Sequence, residues 1–304
     1  MSINHRELSV FLAIARSGSI NAASKAMGMT QPALSRSLKR LENQLGAHLF
    51  TRHASGMTLT AFGGALRRHA ELVEFESNRV VEELKLLGGA GSGSVRVGLV
   101  PSVIGGLFQS ALPHVYKASP KIQIRLVEGS GDRMIEAVAR GEVDFAVVGR
   151  LSMETTPDLV ATPIAREEVC VAAGAQHPVF SKAKKVTPKQ LRNYVWALPE
   201  NGNAIWYGFL ELFRSAGLEP PVPAISSNSV HALKSIVGHH HHLTMMTRVV
   251  FALEEQHGLI LPVPGTSWLR ELAVVRRTRS NLMPAARLLL RELQKQALYE
   301  SVVA

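Results

Sequence analysis

Apolar positions in the first sixty residues recur at helical spacing and are punctuated by glycine. Leu8, Phe11, Leu12 and Ala15 form one stripe of a helix near Arg6 to Arg16. Ser19 stands where a second helix, Ile20 to Met27, needs an N-cap, and Gly28 where its end turns left-handed. Thr30 is placed to cap a third helix with Pro32 in its first turn, where a missing N–H costs nothing. Leu34, Leu38, Leu41 and Leu45 then fall four, three and four apart, which predicts a buried seam. The opposite face carries Gln31, Pro32, Ser35, Arg36 and Lys39. After Gly46, the run Leu49 to Arg52, the turn His53-Ala54-Ser55-Gly56 and the run Met57 to Leu59 predict a small hairpin.

From Thr60 to Leu87 one helical pattern runs without a break, a rod of about 42 Å. Leu66, Val73, Val80 and Leu87 recur every seven residues, and Ala70, Ser77 and Leu84 follow the first three by four. Such a face fits either packing on its own domain or pairing with a second chain. The length and the acidic remainder (Glu71, Glu74, Glu76, Glu82, Glu83) favour pairing. Gly88 to Ser94 has the composition of a flexible hinge. Beyond it, the pattern changes to short Val/Ile-rich runs alternating with helical stretches, the signature of a parallel α/β sheet. Strands are predicted at Val95–Val100, Ile122–Val127, Val143–Val148, Val169–Ala173, Val195–Leu198, from Leu243, and at Glu271–Arg276. Helices are predicted from near Val103, after Gly129-Ser130-Gly131, at Thr187–Leu191, at Ile205–Ala216 and from Ala285.

The domains read as a winged helix-turn-helix (1–60), a dimerisation helix (61–88), a hinge (89–94) and a ligand-binding α/β domain (95–304). Two crossings split the last into subdomain I (95–165 and 267–304) and subdomain II (166–266), leaving a cleft between them.

Composition narrows the function. A chain of 304 residues, 46% hydrophobic and 19% charged, is too long for one small core and too apolar for wholesale disorder. No uncharged apolar run reaches the ~18 residues of a membrane helix, and Met1 to Ser9 is polar, so a cytoplasmic protein is expected. The single Cys170 excludes a disulfide framework and a thiolate zinc cluster.

The net charge of +10 suits a polyanionic partner, and its distribution says more than its size. Residues 1–68 carry 9 basic and 2 acidic side chains, whereas 69–94 carry 2 and 5. The third helix thus has the layout of a recognition helix, with short hydrogen-bonding groups at its N-terminal end and cations beyond. The candidate DNA contacts are Ser19, Thr30, Gln31, Pro32, Ser35, Arg36, Lys39 and Arg40, with Arg52 on the wing.

In doubly wound sheets a ligand sits beyond the carboxyl ends of strands, where helix N-termini offer free N–H groups. Ser102, Val103, Ser130, Asn201, Gly202, Met246 and Thr247 occupy such strand ends and are the candidate effector contacts. For each serine, plain helix capping is the competing explanation. Trp206 is expected near the cleft rim, as a core or hinge aromatic more than as a stacking surface. No nucleophile elbow, phosphate loop or dinucleotide fingerprint marks an enzyme, and no cofactor is implied. His239-His240-His241-His242 is expected as an exposed turn, since four consecutive residues do not preset a tetrahedral metal site; no metal ligand is assigned.

The series Thr30-Gln31-Pro32-Ala33-Leu34-Ser35-Arg36-Ser37-Leu38-Lys39-Arg40-Leu41-Glu42, then Leu45-Gly46, Leu49-Phe50-Thr51-Arg52 and Leu59-Thr60-Ala61-Phe62-Gly63, closely resembles the N-terminal signature of LysR-type transcriptional regulators. The rest of the chain is similar to that family's effector domain. The resemblance implies a winged helix-turn-helix, a linker helix pairing two chains and a sensor of two Rossmann-like subdomains, like a type 2 periplasmic binding protein. It also implies a dimer of dimers, promoter DNA and RNA polymerase as partners, and a small effector, weighted towards an anion. Leu243-Thr244-Met245-Met246 and Gln176-His177-Pro178 are similar to the branch that regulates sugar-binding-protein or aromatic-sulfonate genes. The sequence departs from the family at the histidine run, where a glycine-rich or small polar turn is usual, and at Thr247, where proline is usual.

Overall fold

The computed structural model describes residues 3–54, 56–87, 93–149, 158–181, 186–201, 203–278 and 280–303. Residues 88–92 of the predicted hinge, and Gly202 of the predicted effector contacts, lie outside the described residues. The chain divides into two compact units, Met1–Gly91 with Ala139–Glu142, and Ser92–Val138 with Val143–Ala304.

The first unit holds helices α1 (His5–Ser17), α2 (Ile20–Ala26) and α3 (Gln31–Leu45), the hairpin β1 (Phe50–His53) and β2 (Gly56–Leu59), and the 27-residue α4 (Ala61–Leu87). Asn4 opens α1 with a capping box: its side chain accepts from Arg6 N, and the Glu7 carboxylate accepts from Asn4 N. The buried stripe of α1 is wider than predicted. Val10 and Ile14 join Leu8, Phe11 and Leu12, while Ala15 is only half-buried. Leu34, Leu38 and Leu41 of α3 complete the core with Ala23, Leu49 and Phe50. Leu45 leaves the predicted seam and is exposed, one residue before Gly46 ends the helix at φ 65°. Thr30 occupies the N-cap of α3 with extended backbone, but its side chain makes no capping hydrogen bond.

Thr60 fastens α4 to the head: its hydroxyl donates to His48 O at 2.7 Å and accepts from Gly63 N at 3.1 Å. Leu66 and Ala70 pack into the head core, so the predicted heptad face is partly occupied within the chain. Val73, Val80 and Leu84, further along the same face, are exposed.

The second unit is built on a nine-stranded sheet in the order β4-β3-β5-β11-β6-β9-β7-β8, with β10 beside β6. Its strands are β3 (Ser94–Leu99), β4 (Gln123–Glu128), β5 (Phe145–Gly149), β6 (Leu159–Gly174), β7 (Val195–Pro199), β8 (Ile225–Ser227), β9 (His242–Thr247), β10 (Ile260–Pro262) and β11 (Trp268–Arg277). The helices are α5 (Pro101–Val103), which continues through a π-helical turn into α6 (Gln109–Ala118), then α7 (Gly131–Ala139), α8 (Pro188–Leu191), α9 (Ala204–Arg214), α10 (Val230–His239), α11 (Ala252–Gln256) and α12 (Pro284–Val303).

The sheet is mixed where a parallel one was expected. Strands β3, β4 and β5 run parallel on one side, and β7, β8 and β9 on the other. Between them β6 and β11 are antiparallel to each other and to their neighbours. The predicted strand Val169–Ala173 is the second half of β6, a 16-residue strand that starts at Leu159 in subdomain I. The helix expected near Val103 starts at Pro101, which leaves Val103 facing the core.

Gly63 lies where the α4 backbone crosses the chain leading into the wing, and a Cβ there would come within 2.1 Å of Leu49 O. Backbone cannot yield as a side chain does. Gly63→Ala is expected to destabilise the head by about 1–3 kcal/mol or more. Gly64→Ala, which meets open space, should be neutral or slightly stabilising. Thermal unfolding of the two variants checks the contrast.

Candidate functional site

Helices α2 and α3 meet at Gly28, whose φ of 61° permits the tight turn. The Ser19 hydroxyl accepts from Ala22 N, so this predicted DNA contact is also the N-cap of α2. With Leu34, Leu38 and Leu41 of α3 turned inward, Gln31, Pro32, Arg36 and Lys39 are exposed, Thr30 is exposed beside them, and Ser35 is half-buried. Arg52 is exposed on the wing strand β1. Arg40 stands apart from this group. Its Nε donates to Glu7 Oε1 at 2.6 Å, and that carboxylate is 5% exposed. The pair clamps α3 to α1, so Arg40 carries a structural duty that the sequence did not disclose.

In the second unit a cleft of about 490 Å³ opens between the two subdomains. Ser102, Ser130, Asn201, Met246 and Thr247 line it, together with Glu128, Asp132, Arg133, Glu200, Asn203 and Asn228. Val103 does not: it is 1% exposed and packs in the subdomain I core. The reason is helical geometry, since α5 begins two residues earlier than expected and turns Val103 inward. Trp206 packs against the subdomain II core rather than lining the cleft.

Helices α7, α9 and α10 all begin at this cleft. Asn203 Oδ1 caps α9 by accepting from Trp206 N at 2.9 Å, and Ser229 Oγ caps α10 by accepting from Ala232 N at 3.2 Å. The sequence reading missed two residues here, Arg270 of β11, which lines the cleft, and its partner Glu167 of β6. They face each other in the strand register, and Arg270 Nε donates to Glu167 Oε1 at 2.5 Å. Ser102 Oγ accepts from Arg270 Nη2 at 3.1 Å and donates to Glu167 Oε1 at 3.2 Å. The available signal was the charge-rich step Arg166-Glu167-Glu168, set opposite Leu269-Arg270-Glu271 beside the apolar runs Val169–Ala173 and Leu272–Val275.

Two family profiles cover this chain. "Bacterial regulatory helix-turn-helix protein, lysR family" matches residues 5–64, and "LysR substrate binding domain" matches residues 88–298. The chain belongs to the LysR family of transcriptional regulators. Among curated relatives, the HTH-type transcriptional regulator GbpR of Azospirillum brasilense is 28% identical over 88% of this chain and 81% of its own length. The regulator TdcA of Escherichia coli K12 is 30% identical over 70% of this chain and 67% of its own. The fold matches the crystal structure of CbnR, a LysR family transcriptional regulator, with a TM-score of 0.70 at 20% identity, covering 97% of this chain and 99% of that one. ArgP from Mycobacterium tuberculosis superposes with a TM-score of 0.73 at 14% identity, covering 97% of this chain and 98% of that one. This LysR-type regulator therefore joins a DNA-binding helix-turn-helix to an effector-binding domain.

No helix of the regulator is long and apolar enough to cross a membrane among the described residues. Nor do the described residues bring three His, Cys, Asp or Glu side chains together as a metal cluster. His239 ends α10, His240 and His241 connect it to β9, and all three are exposed, whereas His242 begins β9 half-buried. Cys170 is buried on β6, and burial pushes its thiol up to about 12, so the reactive thiolate is suppressed.

His177 is buried beneath this histidine run. Its Nδ1 accepts from Val179 N at 3.0 Å, which places the proton of the neutral ring on Nε2. The ring packs edge-on against Tyr194 and His241. Burial first, and the neighbouring His241 and His242 next, lower its pKa to about 4. The folded value lies below the ordinary 6.5. The stabilisation is therefore complete above pH 6.5 and is lost as pH falls from there through about 4, because the unfolded chain takes the proton first. Denaturant midpoints should fall across that window. His177→Asn, whose amide oxygen can still accept from Val179 N, should flatten the dependence, and an unchanged slope would remove His177 as its source.

Proposed function

We propose that this chain is a ligand-responsive, sequence-specific promoter binder rather than an enzyme, acting in the cytoplasm. Residues 1–60 read DNA, 61–88 pair two chains, 89–94 form the hinge and 95–304 bind the effector. The observation that carries the reading is the two-sided α3: Leu34, Leu38 and Leu41 buried in the head, with Gln31, Arg36 and Lys39 left exposed on one outward face. That face fits a major groove, its N-terminal residues at base edges and its cations near phosphate or guanine. Ser19, Thr30, Pro32, Ser35 and Arg52 flank it as backbone or wing contacts.

The exposed Val73, Val80 and Leu84 on α4 support a paired linker helix, which two-fold operators require; a dimer of dimers and contact with RNA polymerase complete the assembly. The cleft supports effector binding through Ser102, Ser130, Asn201, Met246 and Thr247. The Ser102 hydroxyl is bonded to Glu167 and Arg270, with no histidine base among its described partners, and this favours binding over hydrolysis. An effector shifts regulation only by binding one cleft closure better than the other.

Footprinting of the purified protein on DNA upstream of its own gene, with and without small molecules, tests the reading. A salt-sensitive, sequence-selective footprint is expected; its absence on every promoter fragment overturns the proposal. Arg36→Ala and Lys39→Ala should each weaken operator binding by about 1–3 kcal/mol with the head still folded. If Lys39 meets a phosphate, its loss also lowers the salt slope by about one. Ser102→Ala should raise the effector concentration needed for response and leave ligand-free DNA affinity within about twofold. An unaltered induction curve would take Ser102 out of the site.

A further inference from the structure

Building on α3 as the DNA-reading helix, we propose that Glu7 is a specificity-determining residue: by cancelling the charge of Arg40 it holds down the sequence-independent affinity of the head. Residues 1–68 carry 9 basic side chains and only 2 carboxylates, Glu7 and Glu42. Glu42 is occupied within the fold, where its Oε1 accepts from Leu49 N at 2.8 Å. Glu7 lies on α1, yet it is spent on a cation of α3, 33 positions away. Its side chain is 5% exposed, whereas that of Arg40 is 68% exposed. The pair therefore joins a buried anion to a cation standing in water.

That asymmetry argues for more than a clamp. A buried carboxylate is costly, and an exposed arginine needs no partner. Both oxygens of Glu7 are engaged, Oε1 by Arg40 Nε and Oε2 by Asn4 N at 3.3 Å, so the anion is fixed in place. Arg36 and Lys39, by contrast, have no carboxylate partner among the described residues. Helix α3 thus presents Arg36 and Lys39 as unpaired cations and withholds Arg40.

Each cation that neutralises a phosphate strengthens binding to any duplex, whatever its sequence. From Gln31 to Arg40 the helix advances about 13.5 Å, so Arg40 is remote from the end assigned to base edges. Its free charge would add attraction without base recognition. On the correct sequence, base contacts fix the head and limit which phosphate Arg40 meets. On a wrong sequence the head is free to shift until Arg40 finds one. Cancelling Arg40 therefore weakens wrong complexes more than the right one.

The test uses the full chain, its footprinted promoter fragment and a scrambled duplex of equal length, with binding followed by fluorescence anisotropy from about 50 to 200 mM salt. Glu7→Gln keeps an acceptor for Arg40 Nε or Asn4 N but drops the charge. At about 0.1 M salt it should tighten scrambled DNA about fivefold to tenfold and steepen the salt slope by about 0.9 per bound head. The promoter fragment should gain no more than about twofold. Glu7→Leu fills the same site with an apolar side chain and, Arg40 being exposed, strands no buried charge; it should act alike and decides the matter if Glu7→Gln does not fold. Adding Arg40→Gln to either variant should return scrambled-DNA affinity and slope to the parent's values, because the gain runs through Arg40. A merely structural pair would lower the melting temperature and leave the salt slope of the folded protein unchanged. Unchanged or weaker binding of scrambled DNA, equal tightening of both duplexes, or a gain that survives loss of Arg40 overturns the proposal. While the parent still discriminates the two duplexes, those results leave the DNA reading of α3 standing. A parent that does not discriminate them overturns that reading and this proposal together.

Discussion

The antiparallel pairing of β6 and β11 is the constraint on which the sensor depends. Each strand contributes to both hydrophobic cores: β11 gives Leu272, Val274 and Val275 to one and packs Trp268 against the other, while β6 gives Val169, Val171 and Ala173 to the second and packs Leu159, Ala161 and Ile164 against the first. A register irregularity falls between Leu272 and Ala273, close to the passage from one core to the other. The charged step from Arg166 to Glu168, opposite Leu269 to Glu271, therefore sits between two apolar cores. Such a step is costly within a core and acceptable only if its charges are paired. The Arg270–Glu167 pair meets that condition on the cleft side. Arg248 meets it elsewhere by bridging Glu168 and Glu255, and a hydrogen bond from Ser267, followed by Arg248, holds the Glu168 carboxyl below its ordinary range.

The same economy of charge governs the head. Eleven of its ionisable side chains are not equivalent just because most are basic: Arg40 is pinned by the buried Glu7, and Arg16 pairs with Glu74 of α4. Arg36 and Lys39 lie on the outward face instead, where an extended arginine or lysine can follow a phosphate backbone. A basic helix becomes a reading surface only once its internal ion pairs are set aside.

Much of this was legible along the chain. The α3 leucines at four and three, Ser19 before α2 and Gly28 after it fixed the helix-turn-helix, because helical period and capping are local properties. Ser102, Ser130, Asn201, Met246 and Thr247 were placed at strand ends and do line the cleft, since doubly wound sheets form their crevice there. Errors of one or two residues still mattered. The early start at Pro101 turned Val103 from the cleft into the core, and the exposed Leu45 fell off the seam at a helix end.

What the sequence by itself determined is therefore most of the elements, though not β8, α10, α11 or β10, together with their amphipathic faces and the cationic bias of the first sixty-eight residues. Periodicity and composition need only near neighbours to be read. Tertiary structure alone decided which charges are partnered: Glu7 with Arg40 across 33 positions, Ser102 with Arg270 across 168. It also decided that a pair of antiparallel strands, and not a parallel crossover, joins the two subdomains. Contacts between distant residues leave no period in the chain, and the cleft floor is made of nothing else.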